Sequence, residues 1–193
     1  MKKIKNLMTL IVIALVSFAF TSCDEDEKIS DTLAGTWEGN IHVASKWRGS
    51  YYYATKSYVC FEKDPFAWSS GSGYWVDYYS KLPWDYIANH IDWSVKNGNI
   101  YVHFVEDRYD ITIYRYRLNR NYFEGEIKTY DDKMVSFSLS KISAPNWRYD
   151  YHYGWDYWEP NFAKKGLGLN QTRASSGESD RPQREFRVKD MEK

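Results

Sequence analysis

The 193 residues include only two cysteines, one long apolar run and no excess of either charge, since 26 basic side chains balance 26 acidic ones. Each shortage excludes something. Two cysteines allow at most one disulfide, so a cystine-rich scaffold is ruled out. A single apolar run, Leu7 to Phe20, excludes a polytopic membrane protein, and plentiful apolar residues elsewhere exclude a disordered chain. The charge balance is uneven along the chain, with 15 basic against 21 acidic residues over 24–163 and 8 against 5 over 164–193. A mildly acidic body lacks the basic footprint of a nucleic-acid binder, so no nucleic-acid partner is expected. Catalytic signatures are missing too: there is no Gly-x-Ser-x-Gly elbow, no His-Glu-x-x-His, no phosphate loop and no Cys-x-x-Cys. The histidines, His42, His90, His103 and His152, are scattered, whereas a metal site needs three or four converging ligands. Neither a metal nor a cofactor is expected.

What is present begins with an address. Lys2, Lys3 and Lys5, then the apolar run, then small polar residues form a secretory signal peptide over residues 1–22. At about 14 residues the run is shorter than the roughly 20 of a membrane-spanning helix. Phe20-Thr21-Ser22-Cys23 resembles the lipobox of bacterial lipoproteins, in particular those of the Bacteroidetes. That resemblance implies diacylation of Cys23, which would become the mature N-terminus and hold the protein on a membrane. Asp24-Glu25-Asp26-Glu27 resembles the acidic export signal of the same lipoproteins and implies an outer-membrane, cell-surface location, with residues 23–33 as a lipidated acidic tether. With Cys23 consumed, Cys60 has no partner. It lies in Tyr58-Val59-Cys60-Phe61-Glu62 with no neighbouring base to activate it, so it reads as a small strand hydrophobe.

From Gly35 onward apolar and polar residues alternate with a period of two, the mark of half-buried strands. Strands are predicted at 35–43, 51–62, 72–80, 89–96, 99–106, 109–118, 121–130 and 133–141. Asn97-Gly98, Glu106-Asp107-Arg108, Asn119-Arg120-Asn121 and Asp131-Asp132 are tight links that make the last five strands consecutive hairpins. Gly71-Ser72-Gly73 reads as a turn. Eight antiparallel strands in a meander leave two open edges unless the sheet closes, so the fold class is all-β, an eight-stranded antiparallel up-and-down barrel over 34–143. Leu33-Ala34-Gly35-Thr36-Trp37-Glu38-Gly39 resembles the Gly-x-Trp opening of lipocalin-like proteins, which implies the same barrel. Strand parity places Trp37, Ile41, Val43, Ile91, Trp93, Val95, Ile100, Val102, Phe104, Phe123, Ile127, Val135, Phe137 and Leu139 inside. In the sixth strand Ile111 and Ile113 oppose Tyr114, Tyr116 and Leu118 in parity, which predicts a bulge. A barrel of this size is filled by side chains or holds one small ligand. The abundance of aromatic residues favours a plugged or narrow interior.

Beyond the barrel, residues 144–163 are an aromatic extension. Trp147, Tyr149, Tyr151, Tyr153, Trp155 and Tyr157 occupy alternate positions, so an extended chain shows six rings on one face. Such rings either cover the barrel or, rimmed by Asp150, His152 and Asp156, form the ligand-binding platform. Residues 164–193 are poor in apolar side chains and read as a disordered basic tail. The sequence therefore points to a noncatalytic surface lipoprotein, lipid-anchored through Cys23, binding a small apolar or glycan-derived ligand. A hydrolase acting on glycans or lipids and a protein-interaction module are the competing classes, and nothing identifies a protein partner.

Overall fold

A computed structural model describes residues 24–128, 132, 134–143, 151–155 and 181–187. A helix, α1, spans 24–33. Among the described residues eleven strands follow: β1 Gly35–Asn40, β2 Val43–Trp47, β3 Ser50–Tyr53, β4 Lys56–Lys63, β5 Ser70–Tyr78, β6 Tyr86–Lys96, β7 Asn99–Phe104, β8 Tyr109–Leu118, β9 Tyr122–Lys128, β10 Met134–Ile142 and β11 Gln183–Phe186. Eight of them close a barrel in the order β1-β10-β9-β8-β7-β6-β5-β4, all neighbours antiparallel. Closure pairs both edges of β1 and leaves no open strand in the barrel. Local chemistry sets the hairpins, as at the β6–β7 turn, where Asn97 and Gly98 both adopt positive φ (51° and 72°). Two such residues match the right-handed twist of the strands they join.

The predicted interior residues all lie in one buried cluster, joined there by Leu33, Val59, Phe61 and Trp75. Rings pack edge to face across it: Trp75 on Phe104 at 5.1 Å, Phe61 on Trp93 at 5.6 Å and Phe123 on Phe137 at 4.9 Å between centroids. The gap left among Ile41, Val59, Phe61, Trp75, Ile113 and Phe137 is too narrow to admit a water molecule. The barrel is plugged by its own side chains. The bulge predicted in the sixth strand lies in β8, where pairing with β9 shifts between Tyr114 and Arg117 and Arg115 takes a φ of 44°. Ile111 and Ile113 before it, and Tyr116 and Leu118 after it, thereby all pack toward the core.

Five expectations are corrected. The segment 35–43 is not one strand, because His42 adopts a φ of 55° and donates its N–H to Asn40 Oδ1 at 2.8 Å. That turn diverts the chain into a β2–β3 hairpin, which also splits the expected strand 51–62 into β3 and β4. Gly71-Ser72-Gly73 lies within β5 rather than forming a turn. A Cβ at Gly73 would come within 1.9 Å of the Cys60 carbonyl oxygen, so the glycine allows close strand approach. The acidic stretch 24–27 is the first turn of α1 and not a loose tether, and acidic side chains at that end suit the helix dipole. Finally, part of the tail expected to be disordered is ordered: β11 pairs with β2, giving a three-stranded sheet β11-β2-β3.

The two ends of the barrel differ. At the closed end α1 lies against the strands, with the Asp26 carboxylate accepting from the Asn97 and Gly98 N–H groups at 2.9 and 2.8 Å. Lys63 at the end of β4 pairs with Asp31 of the helix. Trp37 is fully buried and donates its indole N–H to the Leu33 carbonyl at 2.7 Å. The Lys141 ammonium sits 4.9 Å from that ring and donates to the Ala34 carbonyl at 2.7 Å. At the opposite end, the mouth, Val43 and Phe186 of the small sheet belong to the barrel core cluster.

Candidate functional site

The outer wall over β4, β5 and β6 carries an aromatic strip that follows from strand parity. Val59, Phe61 and Trp75 point inward, so Tyr58, Cys60, Tyr74, Val76, Tyr78, Tyr86, Ala88 and His90 point outward. Register places them side by side, with Cys60 opposite Tyr74, Tyr74 opposite His90, Val76 opposite Ala88 and Tyr78 opposite Tyr86.

Residues 151–155 lie over this strip. Tyr153 bridges to Ala88, and the Gly154 N–H donates to the Ala88 carbonyl at 2.8 Å. The Tyr151 ring meets Tyr86 at 5.2 Å and Tyr78 at 6.4 Å, both edge to face. Its hydroxyl shares a hydrogen bond with that of Tyr78. The Tyr153 ring lies 3.9 Å from His90 and 5.5 Å from Tyr74. Glu106 holds the imidazole in place, accepting the His90 backbone N–H at 2.7 Å and bonding its Nδ1.

Of the six ladder residues, Tyr151 and Tyr153 share the face predicted for them and are half-buried on the strip. Trp155 departs from it. Gly154 has a φ of 75°, which turns the chain and sends Trp155 into a second cluster, 4.6 Å from Trp84 and buried. Trp147, Tyr149 and Tyr157 lie outside the described residues, as do Asp150 and Asp156. His152 is exposed, and its backbone N–H donates to the Tyr86 hydroxyl at 3.1 Å.

Burial, reinforced by neighbouring phenols, pushes the Tyr78 hydroxyl far above its ordinary value. Burial does the same to Tyr153. Both therefore stay protonated across physiological pH, each able to donate and to accept a hydrogen bond. Beneath the strip Cys60 is buried, and burial pushes its thiol up as well. That disfavours the nucleophilic thiolate, in keeping with its reading as a packing residue.

A second constellation, at the mouth, was not found from the sequence. Asp77 of β5 points inward and is completely buried. It accepts from Ser57 Oγ at 2.6 Å and from Trp75 Nε1 at 2.9 Å. Arg184 of β11, its side chain 5% exposed, pairs with Asp77 and with Asp107 and donates to Asn89 Oδ1. Burial pushes the Asp77 carboxyl upward, while the guanidinium and the two barrel donors pull it back. The available signal was a carboxylate at the inward parity of a strand, two residues beyond Trp75. Among the described residues no group of three His, Cys, Asp or Glu side chains converges in the manner of a metal site.

No protein-family model matches the sequence, and no curated protein matches it. Among solved structures, a redesigned β-barrel aligns with a TM-score of 0.39 and 12% identity, over 60% of this chain and 96% of the other.

Proposed function

We propose that this chain is a noncatalytic, lipid-anchored surface protein that binds a glycan-derived ligand on the outer tyrosine strip of its barrel. The plugged interior carries the choice of site: with no room for even a water molecule among the core rings, an apolar ligand has no cup to enter. The strip instead offers half-buried ring faces edged by neutral hydroxyls. Ring faces suit the apolar faces of sugars, and phenols exchange hydrogen bonds with their hydroxyls. Removing one phenolic oxygen while keeping its ring separates these contributions. Tyr86→Phe and Tyr151→Phe should each weaken sugar binding about 5–10-fold, the worth of roughly one hydrogen bond. Titration of a soluble oligosaccharide against tryptophan fluorescence measures this. Unchanged affinity in both variants would move the ligand off the strip.

The anchor reading is supported by the lipobox-like residues up to Cys23 and by two features of the closed end. Position 24 already belongs to α1, so an acylated Cys23 would hold that end close to the bilayer. On the adjoining β4–β5 loop Phe66 and Trp68 are 94% and 70% exposed, and aromatic side chains favour the membrane interface. The tyrosine strip and the mouth would then face away or sideways. Cys23→Ala is expected to move the protein from the membrane fraction to the soluble one. Mass spectrometry showing an unmodified Cys23 in an uncleaved chain would remove the anchor.

A further inference from the structure

We propose that the barrel mouth is a binding site for an extended peptide strand bearing an arginine two residues before a phenylalanine, and that β11 is its tethered, exchangeable ligand. The proposal stands independently of the glycan reading. β11 belongs to none of the eight barrel strands, and among the described residues its strand partner is β2. It is reached only after the 25 residues from 156 to 180 that separate it from Trp155. Its register, Gln183 opposite Lys46 through Phe186 opposite Val43, is that of a peptide added to a sheet edge. In that mode backbone bonds give affinity and alternate side chains give specificity.

The alternate side chains are Arg184 and Phe186, both buried, and the barrel supplies a built receptor for each. The three sides of the guanidinium meet different acceptors: Asp77 from β5, Asn89 from β6 and Asp107 from the β7–β8 loop. Its face lies 4.5 Å from the centre of the Phe104 ring. Ser57 and Trp75, both barrel residues, orient the Asp77 carboxylate. A planar fork with several fixed donors satisfies this set, whereas a lysine ammonium presents a single compact charge. Phe186 fits between Trp75 at 6.0 Å and Tyr109, on which it stacks at an interplanar angle of 15°. Arg187 closes the contact, its guanidinium 3.8 Å from the Tyr51 ring centre and its backbone N–H donating to the His42 carbonyl at 2.7 Å.

Charge gives the site its appetite for such a strand. Fully buried Asp77 and half-buried Asp107 bring two carboxylates to one locus, and like charges there are costly without a cation between them. The strand brings that cation.

The test uses the full chain with a specific protease site placed between residues 161 and 175, cut after folding. The fragment carrying β11 should stay bound through gel filtration. A labelled peptide of the sequence 181–187 should then replace it, and the same peptide with Arg184→Lys or Phe186→Ala should compete at least about tenfold less well. The uncut chain should capture the peptide far more weakly, because a tethered strand competes at an effective concentration of roughly millimolar. Near-ultraviolet circular dichroism follows the barrel throughout. Loss of the barrel on cutting, failure of the fragment to exchange, or equal capture of the Arg184→Lys peptide would each overturn the proposal.

Discussion

Trp37→Ala is expected to lower the unfolding free energy by about 3–5 kcal/mol, the range for truncating a buried large aromatic. The indole is completely buried against Phe123 at 5.6 Å, and α1 folds over it at the closed end. Truncation opens a cavity, orphans the Leu33 carbonyl that now accepts the indole N–H and removes the ring beneath Lys141. Urea denaturation measures the loss. A change below about 1 kcal/mol would mean that the ring contributes no more than a surface side chain.

Trp75→Ala is expected to cost at least as much, about 3–5 kcal/mol, and to differ in where the damage spreads. Its ring packs on Phe104 and Phe186, and its N–H is one of two barrel donors to the buried Asp77 carboxylate. Loss of the ring therefore loosens β11 as well as the core. Hydrogen exchange at residues 183–186 should accelerate in Trp75→Ala and stay unchanged in Trp37→Ala once the difference in global stability is subtracted. Trp75→Phe, which keeps most of the ring and drops the N–H, should cost about 1–3 kcal/mol, the penalty for a buried acceptor losing a partner. Equal exchange at 183–186 in both alanine variants would show that Trp75 does not support the strand.

The barrel was legible because its determinants are local and repeated. Alternation along β6, β7 and β10 sets inward and outward faces, and the Asn97-Gly98 turn accepts the positive φ that a tight hairpin demands. Even the β8 bulge announced itself, since only an extra residue reconciles Ile113 with Tyr116 on one face. The break at His42 was hidden, because it rests on a bond from the His42 N–H to the Asn40 side chain and on a left-handed conformation uncommon outside glycine. Helix α1 was obscured by its acidic start, although Asp26, Ser30 and Leu33 recur at helical spacing and are all buried. Strand β11 carried the weakest signal: Gln183-Arg184-Glu185-Phe186 has one apolar residue in four. Its order comes from partners more than a hundred residues away in Asp77 and Val43, a long-range pairing that local propensity does not encode. Of the three ladder rings among the described residues, Tyr151 and Tyr153 lie on one face as alternation requires, while Gly154 turns Trp155 aside.

The central claim is that this barrel is filled by its own side chains and keeps its ligand outside. Native mass spectrometry of the lipid-free chain, incubated with a long-chain fatty acid and separately with an oligosaccharide, tests it most directly. The account predicts no retained fatty acid, together with a sugar complex that weakens in Tyr86→Phe. A fatty acid held one to one, with the tryptophan fluorescence of the wild type shifted and the sugar ignored, would contradict it.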